Sequence, residues 1–163
     1  MKYLILTTIL ISILFVTSCK KDDTTPEATM TAKVDNLSWS AVTRVTKHYK
    51  SNTRFVISGT SITGEVLVIT VNGDQVGHYT SATSIDSVSA QVGCVWQPDA
   101  TSPTTDNYFS KNGTVDISEI DAENLRISGT FSFELIKTDS LGMQTAKTIT
   151  EGNFANLSYS ESN

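Results

Sequence analysis

Cysteine, histidine and proline are scarce: the chain of 163 residues has two, two and three of them. Two cysteines exclude a disulfide-dense scaffold and a four-cysteine zinc centre. His48 and His78 leave little for general-base chemistry, and no G-x-S-x-G or H-E-x-x-H motif frames either one. Basic side chains are few as well, 12 Lys and Arg against 17 Asp and Glu, for a net charge of −5 without a basic cluster. That excludes nucleic acid as a partner. Charged residues make up 18%, below the usual level near about 25%. Beyond the first 18 residues no window shows a sustained helical period. What remains is a Ser/Thr-rich chain with 39% hydrophobic residues, enough for one core and too many for wholesale disorder.

The apolar content is uneven. Lys2 gives residues 1–18 a short positive start, and Leu4 to Val16 form an apolar run of 13 residues. Crossing about 30 Å of hydrocarbon takes roughly 20 helical residues, so the run reads as a signal peptide and not as a membrane span. Val16-Thr17-Ser18-Cys19 follows, and this segment resembles a relaxed lipobox of the kind found in Bacteroidota lipoproteins. The resemblance implies cleavage before Cys19 and acylation of that residue. Several acyl chains, at about 0.8 kcal/mol per buried CH₂, make a durable anchor in a lipid bilayer. Lys21, Asp22 and Asp23 then resemble the surface-export signal of such lipoproteins. Residues 19–29 read as the lipidated cysteine and a flexible tether. Loss of residues 1–18 leaves 11 basic and 17 acidic side chains, net −6, so membrane attachment is expected from lipid and not from a basic patch.

Residues 30–163 read as a single all-β domain. Met30 to Val34 and Leu37 to Ala41 alternate around Asp35-Asn36 and predict a hairpin. Further strands are predicted at 54–60, 65–71, 77–79, 88–96, 114–118, 124–137, 145–154 and 157–159, with Asn72-Gly73 and Asn112-Gly113 as turns. Strand formers dominate and turns recur every 8–12 positions, which predicts an antiparallel β-sandwich of about 8–10 strands; an open or closed lipocalin-like barrel is the alternative. The stretch 97–112 reads as the longest loop. Val56-Ile57-Ser58-Gly59-Thr60 is echoed by Arg126-Ile127-Ser128-Gly129-Thr130, two equivalent strands each with a glycine at a close approach.

Three blocks carry a family resemblance: Ala32-Lys33-Val34-Asp35-Asn36 leading to Trp39, Ile127 to Phe133 (ISGTFSF), and Ile149 to Phe154 (ITEGNF). They resemble a set of small Bacteroidota surface lipoproteins that share an all-β domain of unknown function. Asn36 stands where that pattern has Gly, and Asn tolerates the positive φ such a turn needs. The resemblance implies an all-β surface lipoprotein and brings no catalytic residue.

Among candidate site residues, Trp96, Tyr108 and Phe109 flank the long loop and are expected to offer an exposed platform for a ligand. Cys94 lies among Val92, Val95 and Trp96 and reads as a buried, inert thiol. Asp116, Glu119, Asp121 and Glu123 lack the order of a calcium loop and read as a solvated turn, so no metal site is expected. Thr24, Ser87 and Ser140 each follow an Asp and resemble Bacteroidota O-glycosylation acceptors. The chain is thus expected to be a non-catalytic binding or interaction module at the outer membrane. Its expected partner is a glycan or an envelope protein, and no cofactor is expected. A structural subunit of an envelope assembly and a lipocalin-like carrier are the alternatives.

Overall fold

The computed structural model describes residues 27–81, 91–101 and 106–163. Cys19, Lys21, Asp22, Asp23, Thr24 and Ser87 lie outside the described residues.

Alternation of apolar and polar side chains becomes strand wherever it occurs. The strands are β1 (Thr29–Val34), β2 (Leu37–Tyr49), β3 (Arg54–Ser61), β4 (Val66–Asn72), β5 (Gly77–Thr80), β6 (Val92–Gln97), β7 (Tyr108–Asp121), β8 (Arg126–Thr138) and β9 (Gln144–Ser162). A short 3-10 turn, Lys50–Asn52, joins β2 to β3. The fold is all-β and sandwich-like, as the period of two predicts, but it is built from one nine-stranded sheet. Its order runs β5-β7-β6-β4-β3-β2-β1-β9-β8, and β7 pairs with β8 as well, so the ladders close on themselves. All pairings are antiparallel except that of Thr46–Tyr49 in β2 with Tyr159–Ser162 in β9.

Strands β5 and β6 lie end to end along one side of β7. Gly77–Thr80 face Thr114–Ile117, and Val95 and Trp96 face Phe109 and Tyr108. The Gln91 amide donates to the Thr80 carbonyl at 3.2 Å, which joins the two segments into one line. The inward residues form a single core around Met30, Phe55, Ile57, Leu67, Ile69, Ile127, Leu135, Phe154 and Leu157, each under 2% exposed.

Both glycines of the repeated Ile-Ser-Gly-Thr segment are points of close approach. A Cβ on Gly59 would lie 2.7 Å from Ala41 Cβ and 2.9 Å from the Trp39 ring. One on Gly129 would meet the Asp116 carbonyl and the Phe154 ring.

Three expectations need correction. Asn112-Gly113 is not a turn but lies inside β7, where the register with β8 shifts between Ser110 and Asn112. A bulge uses the same permissive residues as a turn, which is why the two are confused. Tyr108 and Phe109 belong to β7, so the connection from β6 spans residues 98–107. Residues 145–159 form one strand, not two, because Glu151 (φ 51) and Asn156 (φ 52) bend β9 without breaking it.

Candidate functional site

The antiparallel order sends the turn at 35–36, the turn at 62–65, the described ends 98–101 and 106–107 of the β6–β7 connection, and the connection 139–143 to one end of the sheet. They form a rim. The Ala100 amide donates to the Gly64 carbonyl at 2.8 Å, tying two of these connections together. Asp139 organises a third: its Oδ1 accepts from the amides of Leu141 and Met143 at 2.9 and 2.8 Å. Asp35 organises the first. Its Oδ1 accepts from the Thr148 amide and its Oδ2 from Lys147 Nζ, both at 2.8 Å, so the β1–β2 turn is held to β9.

Burial raises the Asp35 pKa, but the hydrogen bonds from Lys147 and Thr148 outweigh it and hold the carboxyl below its ordinary 3.8. A depressed folded pKa adds stability that is present above the unfolded value and lost as pH falls through the folded one. Asp35→Asn should therefore lower stability by about 0.5–1 kcal/mol at neutral pH, a value discounted for its exposure. In denaturant titrations the gap to wild type should close as pH falls below 3.8.

The mouth inside the rim is a recess of about 160 Å³ lined by Val34, Leu37, Trp39, Trp96, Pro98 and Lys147, with Asp35 and Glu65 beside them. Trp39 and Trp96 meet edge to face at 5.9 Å between ring centroids. Glu65 Oε2 accepts from the hydroxyls of Ser61 and Thr63 at 2.9 and 2.8 Å. Lys147 also stands 5.3 Å from the Tyr108 ring centroid.

The predicted platform is only partly realised. Trp96 is 3% exposed and Tyr108 9%, so neither offers a free ring face; β6 and β7 turn both inward, opposite each other. Phe109 alternates outward and is 53% exposed. It borders a groove of about 790 Å³ on the outer side of the rim, with Asp106, Asn107, Ile136, Lys137 and Ser140. Lys137 Nζ donates to Asp106 Oδ1 at 3.1 Å, and Asn107 Oδ1 is buried without a hydrogen-bond partner among the described residues. Ser140 is exposed and lines this same groove. Ile136, Lys137 and Asn107 carry no sequence signal, because pairing across about thirty residues creates the groove.

The rim gathers apolar tips. Leu37, Ile62, Phe109, Leu141 and Met143 are five of the eight exposed large hydrophobic side chains among the described residues. Strand β1 runs toward the rim, so its first residue, Thr29, points away from it.

The titratable residues elsewhere are dispersed. His78 Nδ1 lies 2.5 Å from Asp116 Oδ1 on the exposed surface. His48 stacks on Phe55 at 4.4 Å and meets Tyr159 edge to face at 5.9 Å. Cys94 is buried as expected, and burial pushes its thiol well above the ordinary value. Asp121 is committed to its turn, accepting from the amides of Glu123 and Asn124 at 3.0 Å. Among the described residues no three Asp, Glu, His or Cys side chains converge on one point suited to a metal. No described helix is long and apolar enough to cross a membrane.

No curated protein and no solved structure matches the chain. Residues 26–158 match the family described as Domain of unknown function (DUF6252). The match covers every strand from β1 to β8 and most of β9, and the chain therefore belongs to that family.

Proposed function

We propose that the protein is a lipoprotein anchored in the outer membrane through acylated Cys19 and displayed at the cell surface, where its domain acts as a non-catalytic binding module. The rim is the part that meets the ligand. The observation that carries this reading is that five of the eight exposed large apolar side chains among the described residues lie on or beside the connections at the end of the sheet away from Thr29. Apolar side chains that remain exposed in one cluster mark interaction sites. Connections on a rigid β scaffold are where binding residues concentrate. A lipid at Cys19 would leave this end pointing outward, and the Lys21-Asp22-Asp23 segment supports export to the surface.

The groove beside Phe109 combines an exposed ring with the Lys137–Asp106 ion pair, a set that fits a sugar ring better than an apolar ligand. The protein screened on an array of envelope and host glycans should retain a ligand, and Phe109→Ala should weaken it tenfold or more with the fold intact by circular dichroism. Binding indifferent to Phe109→Ala would contradict the placement. Retention of no glycan would contradict the ligand class.

A further inference from the structure

The net charge of −5 is unevenly spread. Residues 36–64 contain no Asp or Glu but hold Arg44, Lys47, Lys50 and Arg54. Register brings two of these cations together where β2 ends and β3 begins, at the end of the sheet opposite the rim. Thr46, Phe55 and Ile57 are buried, so Lys47 and Tyr49 of β2 and Arg54 of β3 face outward. Tyr49 pairs with Arg54, and Lys47 stands on the diagonal, which places the two cationic side chains about 7–8 Å apart at Cβ. The Arg54 guanidinium lies 5.0 Å from the Tyr49 ring centroid. An arginine held on an aromatic face is pre-organised for an oxyanion. The neighbours on the next strands are Ser160 and Ser162 of β9 and Asn72 of β4, none of them an acid. Among the described residues neither Lys47 nor Arg54 forms an ion pair with a carboxylate. Glu161, between the two serines, is taken by Lys50 Nζ at 2.5 Å.

We propose that this corner rests on the anionic headgroups of the bilayer that holds Cys19, with lipid phosphate between Lys47 and Arg54. The inference builds on acylation at Cys19. Charge complementarity favours this occupant: an ammonium and a guanidinium on one face suit phosphate oxygens, and an acidic chain can meet an anionic surface only where its acids are absent. Position favours it too. Strand β1 starts at Thr29 on the side away from the rim, ten residues after Cys19. Ten extended residues span at most about 35 Å, so the tether keeps this end near the headgroups. Asp121 and Glu123 stand at the same end, at the β7–β8 turn, so the domain tilts to bring β2 and β3 down. Each Lys or Arg close to such a surface shifts the population about fivefold, or about 1 kcal/mol. The corner therefore sets the orientation of an anchored domain and does not replace the lipid.

Amine labelling tests the contact on the protein purified from its host's membranes. The protein is reconstituted on vesicles of phosphatidylcholine alone and of phosphatidylcholine with phosphatidylglycerol, and the labelled lysines are read by mass spectrometry. On the anionic vesicles Lys47 should react about fivefold more slowly, the ratio one cation near such a surface sets. Lys111, which lies on β7 outside the corner, should react alike on both. Added salt should restore Lys47 labelling, and Arg54→Gln should remove most of the protection. Lys47 labelled alike on both vesicles, or protected as fully in Arg54→Gln, overturns the proposal. So does protection of Lys47 by soluble dextran sulfate but not by phosphatidylglycerol, which would assign the corner to an anionic polysaccharide. Failure of the anchor has a different signature: a chain that associates with neither kind of vesicle overturns acylation and this inference with it.

Discussion

Gly129→Ala should destabilise the domain by about 3 kcal/mol or more, at or beyond the upper end of the usual cost of overpacking a core. Gly129 is buried in β8 and pairs with Ile117 of β7 on one side and Phe154 of β9 on the other. An added Cβ would meet the Asp116 carbonyl and lie 2.6 Å from Phe154 Cζ. A ring can swing aside, but a backbone carbonyl held in a ladder cannot, so the two strands must part. Register shifts in β7, between Ile117 and Glu119, and in β8, between Ile127 and Gly129, already mark this point as irregular. Against a total stability of about 5–15 kcal/mol, such a loss lowers the melting temperature steeply. Gly77→Ala is the control, because a Cβ there meets nothing within 4 Å. It should be neutral or slightly stabilising. Equal melting temperatures for the two variants would show that the close approach at Gly129 carries no weight.

The second large effect concerns the anchor. Cys19→Ala should move the protein from the membrane pellet to the soluble fraction. The change should be nearly complete, because the proposed acyl chains, at about 0.8 kcal/mol per buried CH₂, would hold the chain far more firmly than any other feature could. The exposed apolar side chains at the rim are scattered over separate connections without a cluster of cations beside them, and the chain as a whole is acidic. Neither substitutes for lipid on an anionic bilayer. A variant that still pellets in carbonate-washed membranes would remove acylation from the account.

The two outcomes rest on different kinds of information. Period-two alternation fixes which residues face inward, and for Phe55, Ile57, Leu67, Ile69, Phe131, Phe133 and Leu135 it reads correctly because burial on one face is a local property. The hairpin at Asp35-Asn36 is equally local, since both residues adopt the positive φ, 50° and 66°, that their types tolerate. The closure of β7 onto both β6 and β8 is not local, and nothing in residues 108–121 announces two sets of partners. The same limit explains the platform. Trp96, Tyr108 and Phe109 do converge at the rim, but the side each ring faces depends on strand phase. A loop over residues 97–112 has no such phase. Once β7 is seen to begin at Tyr108, alternation alone sends Tyr108 in and Phe109 out. Asn107 and Lys137 join the site only through pairing, and no pattern in their own neighbourhoods marks them.

Display at the cell surface joins the anchor, the Lys21-Asp22-Asp23 segment and the outward rim into one account. Proteinase K added to intact cells tests it most directly. The account predicts that the protein is degraded while a periplasmic control stays whole. Complete protection of the chain until the outer membrane is permeabilised would contradict it.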